Sequence, residues 1–361
     1  MNNHEKIWLS ILKEGEMTPN ELNILDSELV CPITDFAILQ VTGNDRYEFL
    51  QNQLTGDLNK SKASSNLHGR LSGIKAEFSS WCNLKGRVIA NFLILNTTES
   101  YLLVLKKDMA DYVLKKLKMY ILRSDVKIND ITEQMLLVGL ANFEVHPGSP
   151  LVSTGGPRED GGVLELTGCE YGDRPGYLIR LPDFSNRFLA ITHVTQMKGI
   201  LYRIECCKDE IVNFKIWNKL DILAGFAWID FKNKEKFLPQ MLNLDKFGAV
   251  SFSKGCYVGQ EVIARLHHRG KVKRTMKLIS SKHELCPGSH LYVEDSARKV
   301  GDILNSSTSI LEEITLFWKN YDNSTNRSEK DFFGLAIIES EKLNNNLYTD
   351  TLTKKRVHII K

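Results

Sequence analysis

No apolar run in this 361-residue chain is long enough to span a bilayer, so no transmembrane segment is expected. The N-terminal stretch mixes Glu5, Lys6, Glu14, Glu16 and Glu21 with apolar residues. It therefore lacks both the apolar core of a signal peptide and the acid-poor character of a transit peptide, and a cytoplasmic location is expected. CxxC spacing is also missing. Seven cysteines, an odd number, argue against a disulfide scaffold or a zinc ribbon. The adjacent Cys206 and Cys207 supply no four-ligand cage, so no resident metal is expected. No GK[ST] follows the Gly-rich stretch 155–162 and no GxGxxG opens a helix, which excludes a phosphate loop there. Excess charge is scarce too. A net charge of +3 excludes a globally basic nucleic-acid binder.

One segment departs from that balance. Between Arg265 and Lys277 stand Arg265, Arg269, Lys271, Lys273, Arg274 and Lys277, with His267 and His268 and no acid. Such a run suits phosphates or carboxylates, or simply a solvated surface. Immediately before it lies Lys254-Gly255-Cys256-Tyr257-Val258-Gly259-Gln260-Glu261, followed by helically spaced apolar residues. Two glycines bracket the thiol and permit a tight turn. A thiol beside Lys254 and close to a helix start sits in positive potential, which favours thiolate, so it reads either as a reactive thiol or as a small apolar packing residue.

The chain is long enough for two or three domains. Its pattern predicts a helix over 6–13, a strand over 36–41, and a helix opened by a capping box at Asp45 and Glu48, with Tyr47, Leu50, Leu54 and Leu58 near one face. A β-meander follows over 76–105 with a turn at 83–86, then an amphipathic helix over 109–120 carrying Val113, Leu117 and Tyr120. Strands are expected at 136–141 and 176–181, the latter followed by a helical segment. Short strands at 277–280, 290–294, 299–304 and 334–338 suggest a small β domain interrupted by a polar insertion near 306–331.

KGCYVGQE, at Lys254–Glu261, resembles the signature of the YgfZ family, relatives of the glycine-cleavage (GcvT) aminomethyltransferase. Other segments agree in order: Phe49-Leu50-Gln51-Asn52-Gln53-Leu54-Thr55-Gly56-Asp57, Trp81-Cys82-Asn83-Leu84-Lys85-Gly86-Arg87-Val88, Tyr120-Ile121-Leu122-Arg123-Ser124, and Phe237-Leu238-Pro239-Gln240 through Asn243-Leu244. The likeness runs from about Cys31 to Met276. It implies an α+β, multidomain GcvT/YgfZ-like fold of antiparallel sheets with flanking helices and a small C-terminal β-barrel. The implied division is a discontinuous folate-binding region at 1–135 plus about 200–275, a ferredoxin-like middle domain at 136–200, and a barrel domain at 276–361.

The resemblance also implies tetrahydrofolate or a folate derivative as ligand, and iron–sulfur enzymes that thiolate tRNA as partners. A pterin presents a donor pair that suits a carboxylate, a ring that suits an aromatic wall, and a tail whose carboxylates suit Arg. Glu205, in an apolar strand-like run, resembles the Glu of the family's R-x-E-A-G segment, although Cys206-Cys207 replace the A-G. Phe36 matches an aromatic that borders folate, and Arg265 and Arg274 are the tail candidates. Asn91 stands where the aminomethyltransferases carry an Asp. An amide cannot hold negative charge or exchange a proton, so the transferase chemistry loses its partner there. The motif residues Lys254, Gly255, Tyr257, Gly259, Gln260 and Glu261 then surround Cys256 as the working thiol, able to accept a one-carbon unit, ligate a cluster transiently, or protect one. A folate-binding accessory factor is the main expectation. The alternatives are an aminomethyltransferase, which needs an acid near Asn91, and an RNA-binding module that uses 265–277 to contact tRNA directly.

Overall fold

The structure, a computed structural model, describes residues 29–58, 76–97, 99–142, 163–166, 176–181, 187–196, 214–294, 298–307, 332–350, 352 and 354–360. Two five-stranded antiparallel sheets and a closed barrel organise these residues. In the first part of the chain, β1 (Leu29–Pro32) leads into β2 (Phe36–Thr42), α1 (Arg46–Gln53), β3 (Ala76–Cys82), β4 (Val88–Asn96), β5 (Tyr101–Lys106), α2 (Ala110–Lys118) and β6 (Lys127–Asp130). One sheet runs β3-β4-β5-β2-β6. The next strands are β7 (Met135–Ala141), β8 (Val163–Leu166), β9 (Gly176–Arg180) and β10 (Arg187–His193), and with β1 they form the second sheet in the order β1-β7-β10-β9-β8. Two helices follow, α3 (Phe214–Leu223) and α4 (Gln260–Arg269). The barrel closes as β11-β14-β13-β12-β15-β16, from β11 (Arg274–Ser281), β12 (His290–Val293), β13 (Lys299–Ser307), β14 (Phe332–Glu339), β15 (Leu347–Tyr348) and β16 (Arg356–Ile359).

The first sheet is covered on both faces, which its sequence announces: β4 is buried from Val88 through Leu95 and reads as a near-continuous apolar run. One face packs Leu39, Ile94 and Leu103 against Leu50 of α1 and Val113 and Leu117 of α2. The other turns Phe36, Phe78, Leu93 and Val104 toward Ile179, Leu189 and Ile191 of the second sheet and toward Trp217 of α3. Alternation along β2 produces both faces, with Phe36 and Ile38 on one side and Ala37 and Leu39 on the other. A third cluster fills the barrel around Ile279, Leu291, Ile303 and Ile338.

Several local expectations need correction. The capping box does not form: Asp45 makes no side-chain cap, because its carboxylate accepts the Asp125 N–H (2.7 Å) from the 124–126 loop lying across the helix start. α1 ends at Gln53, so Leu54 and Leu58 are buried from the chain beyond the helix and not from its stripe. The element after β9 is a strand, β10, whose Phe188-Leu189-Ala190-Ile191 run is buried and pairs with both β7 and β9. Nothing in the sequence foreshadows the short β15 and β16, since two and four residues show no period. The expected helix at 6–13, the Gly-rich loop at 155–162 and nearly all of the insertion lie outside the described residues.

Candidate functional site

Several separate segments meet at the thiol loop. At its start, Lys254 buries its ammonium and donates from Nζ to the carbonyls of Gln51 (2.6 Å), Leu54 (2.6 Å) and Gly56 (2.7 Å), in the last turn of α1 and the backbone just past it. Those carbonyls are free because a helix end leaves its last acceptors unpaired. Burial pulls the Lys254 pKa down to about 8, with Asp57 and Glu77 acting in the opposite sense. Thr55 adds a second seam by donating its hydroxyl to the Ala249 carbonyl (2.6 Å) and accepting the Ser251 N–H at its own carbonyl (2.8 Å). Tyr257 turns inward and its hydroxyl donates to the Ser251 carbonyl (3.3 Å); burial pushes that phenol up. Gln260, the first residue of α4, reaches back to the Lys254 carbonyl (3.4 Å).

Gly259 joins the loop to the Asn83–Arg87 hairpin. It holds φ +82°, and a Cβ there would lie 2.5 Å from the Asn83 carbonyl oxygen and 2.9 Å from the Cα of Gly86, so both the backbone conformation and the approach require glycine. The hairpin is fixed in turn from beneath. Asn83 Nδ2 donates to Glu235 (2.9 Å), which also accepts from Tyr112 (2.9 Å) and Lys116 (3.0 Å) of α2. These partners, Asn83 foremost, lower the Glu235 pKa to about 2. The 237–243 segment closes the group: Val88 N–H donates to the Phe237 carbonyl (2.8 Å) and Gln240 Nε2 to the Ile263 carbonyl of α4 (2.8 Å). Gly255 and Glu261 are exposed, and so is Cys256. Among the described cysteines, Cys31 and Cys82 are buried and burial raises both, Cys82 to about 12, whereas Cys256 and Cys286 are exposed.

A cavity opens between the two sheets. It encloses about 460 Å³, counting its mouth, and has an almost wholly aromatic and aliphatic wall: Phe36 and Phe78 from the first sheet, Leu189 from the second, Trp217 from α3, and Phe226, Trp228 and Phe247 from the chain beyond it. Its polar content is one buried ion pair. Arg187 Nη1 donates to Asp221 Oδ1 (2.8 Å), and Trp228 Nε1 donates to Asp221 Oδ2 (3.2 Å). The Trp228 ring meets Phe36 edge-on at 4.7 Å and Phe226 at 5.1 Å. Asn91 sets this tryptophan from behind. Its Nδ2 donates to the Ala227 carbonyl (2.9 Å) while its Oδ1 accepts the Ile229 N–H (2.8 Å), so one amide holds the residues on either side of Trp228.

The sequence-derived candidates thus separate into groups. Phe36 lines the cavity and Asn91 stands behind its wall. Lys254, Tyr257, Gly259 and Gln260 hold the loop that exposes Cys256. Arg265 is exposed on α4, and Arg274 is ion-paired with Asp302 of the barrel (3.1 Å); neither is among the cavity-lining residues. Glu205 lies outside the described residues. Sequence reasoning missed Trp228, Asp221 and Arg187. A signal for two of them was present: an Ala-Gly pair occurs at Ala224-Gly225, in Asp221-Ile222-Leu223-Ala224-Gly225-Phe226-Ala227-Trp228, and there the acid stands two residues before the Glu position of R-x-E-A-G. Among the described residues no three His, Cys, Asp or Glu side chains are placed to share a metal ion, and no helix is long and apolar enough to cross a membrane.

Comparison with known proteins agrees with this architecture. No protein-family model matches the chain. Over 94% of its length it superposes on 86% of the glycine cleavage system aminomethyltransferase T from Bartonella henselae, with a TM-score of 0.67 at 12% identity. The fold is therefore the GcvT-like aminomethyltransferase fold, as the motifs imply. In sequence the chain is 28% identical over 284 residues to the tRNA-modifying protein YgfZ of Yersinia enterocolitica, covering 79% of each, and 28% identical over 278 residues to that of Hamiltonella defensa, covering 75% of this chain and 77% of that one. The chain is thus similar in sequence to proteins named tRNA-modifying protein YgfZ, and it shares its fold with aminomethyltransferase T.

Proposed function

We propose that this protein is a folate-binding factor of the YgfZ type that supports iron–sulfur enzymes of tRNA modification, with Cys256 as its working thiol. The observation that carries this reading is the contrast within the 254–261 loop. Lys254 and Gly259 tie the loop to other segments, and Tyr257 and Gln260 brace it locally, yet the thiol they surround is left exposed. A cysteine that served packing would be buried, as Cys31 and Cys82 are. The named activity of the YgfZ relatives gives the direction of the role, and a cytoplasmic location accords with it.

The lining of the cavity supports recognition of a pterin. Its aromatic wall suits the flat pterin, and Asp221, paired with Arg187, offers a buried carboxylate to the ring's donor edge. Glu205 remains a candidate for the same recognition, and Arg265 and Arg274 for the tail. Asn91 argues against transferase chemistry, because both ends of its amide are engaged by backbone. Two measurements test the proposal. Titration with tetrahydrofolate should quench tryptophan fluorescence saturably, since Trp217 and Trp228 line the cavity; no saturable change would remove folate from the reading. In a strain lacking the protein, Cys256→Ser should fail to restore thiolated tRNA nucleosides whereas Cys286→Ser, the other exposed thiol among the described cysteines, should restore them. Full restoration by Cys256→Ser would overturn the assignment of the thiol.

A further inference from the structure

The basic segment beyond the thiol loop is only partly absorbed by the fold. Arg274 turns to Asp302, and Lys277 is half-buried on β11. Arg265 and Arg269 of α4, and Lys271 and Lys273 after it, all remain exposed, and no acid occurs between Val262 and Lys273. The linear sequence shows no aromatics interleaved with these bases. Folding supplies them. Phe252, from the stretch just before the thiol loop, stacks face to face on His267 at 3.7 Å and 14°, and the His268 ring stands edge-on to His267 at 4.9 Å and to Phe252 at 6.5 Å. Phe252 covers one face of His267, the His268 ring stands at its side, and His267 is itself exposed.

We propose that this surface binds unpaired RNA, with a base stacked on the outer face of His267 and the flanking phosphates met by Arg265, Arg269, Lys271 and Lys273. Four exposed cations alone would suit any polyanion. The stacked ring selects among them, because a nucleobase has a π-face to match it and neither an acidic peptide nor a lipid headgroup does. Duplex RNA keeps its bases stacked on one another and offers the surface phosphates only. Cys256 lies only four residues beyond Phe252 along the chain, so the RNA and the exposed thiol would share one side of the molecule. The inference stands on this geometry and does not depend on folate.

Binding is tested by fluorescence anisotropy on the full chain. The probes are a labelled hairpin RNA with an unpaired loop, a fully paired duplex of the same length, polyglutamate, and vesicles containing anionic phosphatidylglycerol. The hairpin is expected to bind most tightly. His267→Ala should weaken it by about five-fold or more while leaving the duplex nearly unchanged, and His267→Tyr, which keeps a stacking ring, should recover most of the loss. Lys271→Ala with Lys273→Ala should weaken hairpin and duplex alike, and should flatten the slope of log affinity against log salt by roughly one unit for each phosphate no longer neutralised. Thermal melting of each variant identifies any that fail to fold, and His267→Tyr keeps the test decisive if His267→Ala is among them. Equal affinity for hairpin and duplex, preference for polyglutamate or vesicles, or indifference of the hairpin to loss of the ring at position 267 would each overturn the proposal.

Discussion

At the scale of single residues, the side chains that matter are those with every polar atom engaged. Asn91 is the sharpest case. Its amide presents a donor to the Ala227 carbonyl and an acceptor to the Ile229 N–H, a pairing that no other residue of that shape reproduces. Asn91→Asp would set a carboxylate oxygen against a carbonyl oxygen in a buried place, so stability should fall by about 1–3 kcal/mol, read as a lower denaturant midpoint at unchanged slope. The same variant should gain no aminomethyl transfer, and a gain would favour the transferase alternative. Lys254 has a similar logic with three acceptors in place of one donor–acceptor pair. Lys254→Met should cost about 2–4 kcal/mol by leaving the carbonyls of Gln51, Leu54 and Gly56 unmatched. Lys254→Arg should not rescue it, since a planar fork does not converge on three carbonyls as an ammonium does. A denaturation midpoint for Lys254→Arg equal to that of the native protein would show that the charge matters and the geometry does not.

Between elements, the contact that decides the site is the one between the hairpin at 83–87 and α4, where Gly86 and Gly259 meet backbone to backbone. It is legible in the sequence as two glycine-bearing motifs, because a required glycine marks a local backbone demand wherever its partner lies. The capping box misleads for the opposite reason: Asp45 and Glu48 have the right spacing, but the partner that takes the Asp45 carboxylate is Asp125, eighty residues away. Glu235 links the same hairpin to α2 and gives a pH test of the assembly. Its folded pKa of about 2 lies below its ordinary value of 4.5, so the ionised carboxylate stabilises the fold above about 4.5 and that contribution is lost as pH falls toward 2. With a third of the side chain exposed, the expected loss is on the order of 1–2 kcal/mol. Glu235→Gln should therefore be less stable than the native protein at neutral pH and approach it in stability near pH 2, as measured by urea unfolding across that range. Parallel stability curves for the two proteins would refute the network.

At the scale of the whole molecule, the α+β plan and the closing barrel can be read from strand patterns and motif order, but the cavity cannot. Its walls come from places as distant as Phe36 and Phe247, and its polar pair joins the first residue of β10 to the last turn of α3. An Asp within a helix and an Arg at the start of a strand read as ordinary surface residues until tertiary packing buries them both. That construction makes the cavity a joint between the two sheets, since Phe36, Phe78, Leu93 and Val104 face Leu181, Arg187 and Leu189 across it. A ligand seated there would touch both sheets and so bind only the assembled molecule, which links occupancy to global stability. Tetrahydrofolate at a hundred times its dissociation constant should then stabilise the protein by about 2.7 kcal/mol, visible as a concentration-dependent rise in Tm. Trp228→Ala removes an aromatic wall without touching the loop at 254–261, so it should abolish the ligand-induced rise while leaving the alkylation rate of Cys256 near its native value. A rise that persists in Trp228→Ala would place folate elsewhere on the molecule, and a thiol rate that changes with it would mean that the cavity and the loop are not the separate sites described above.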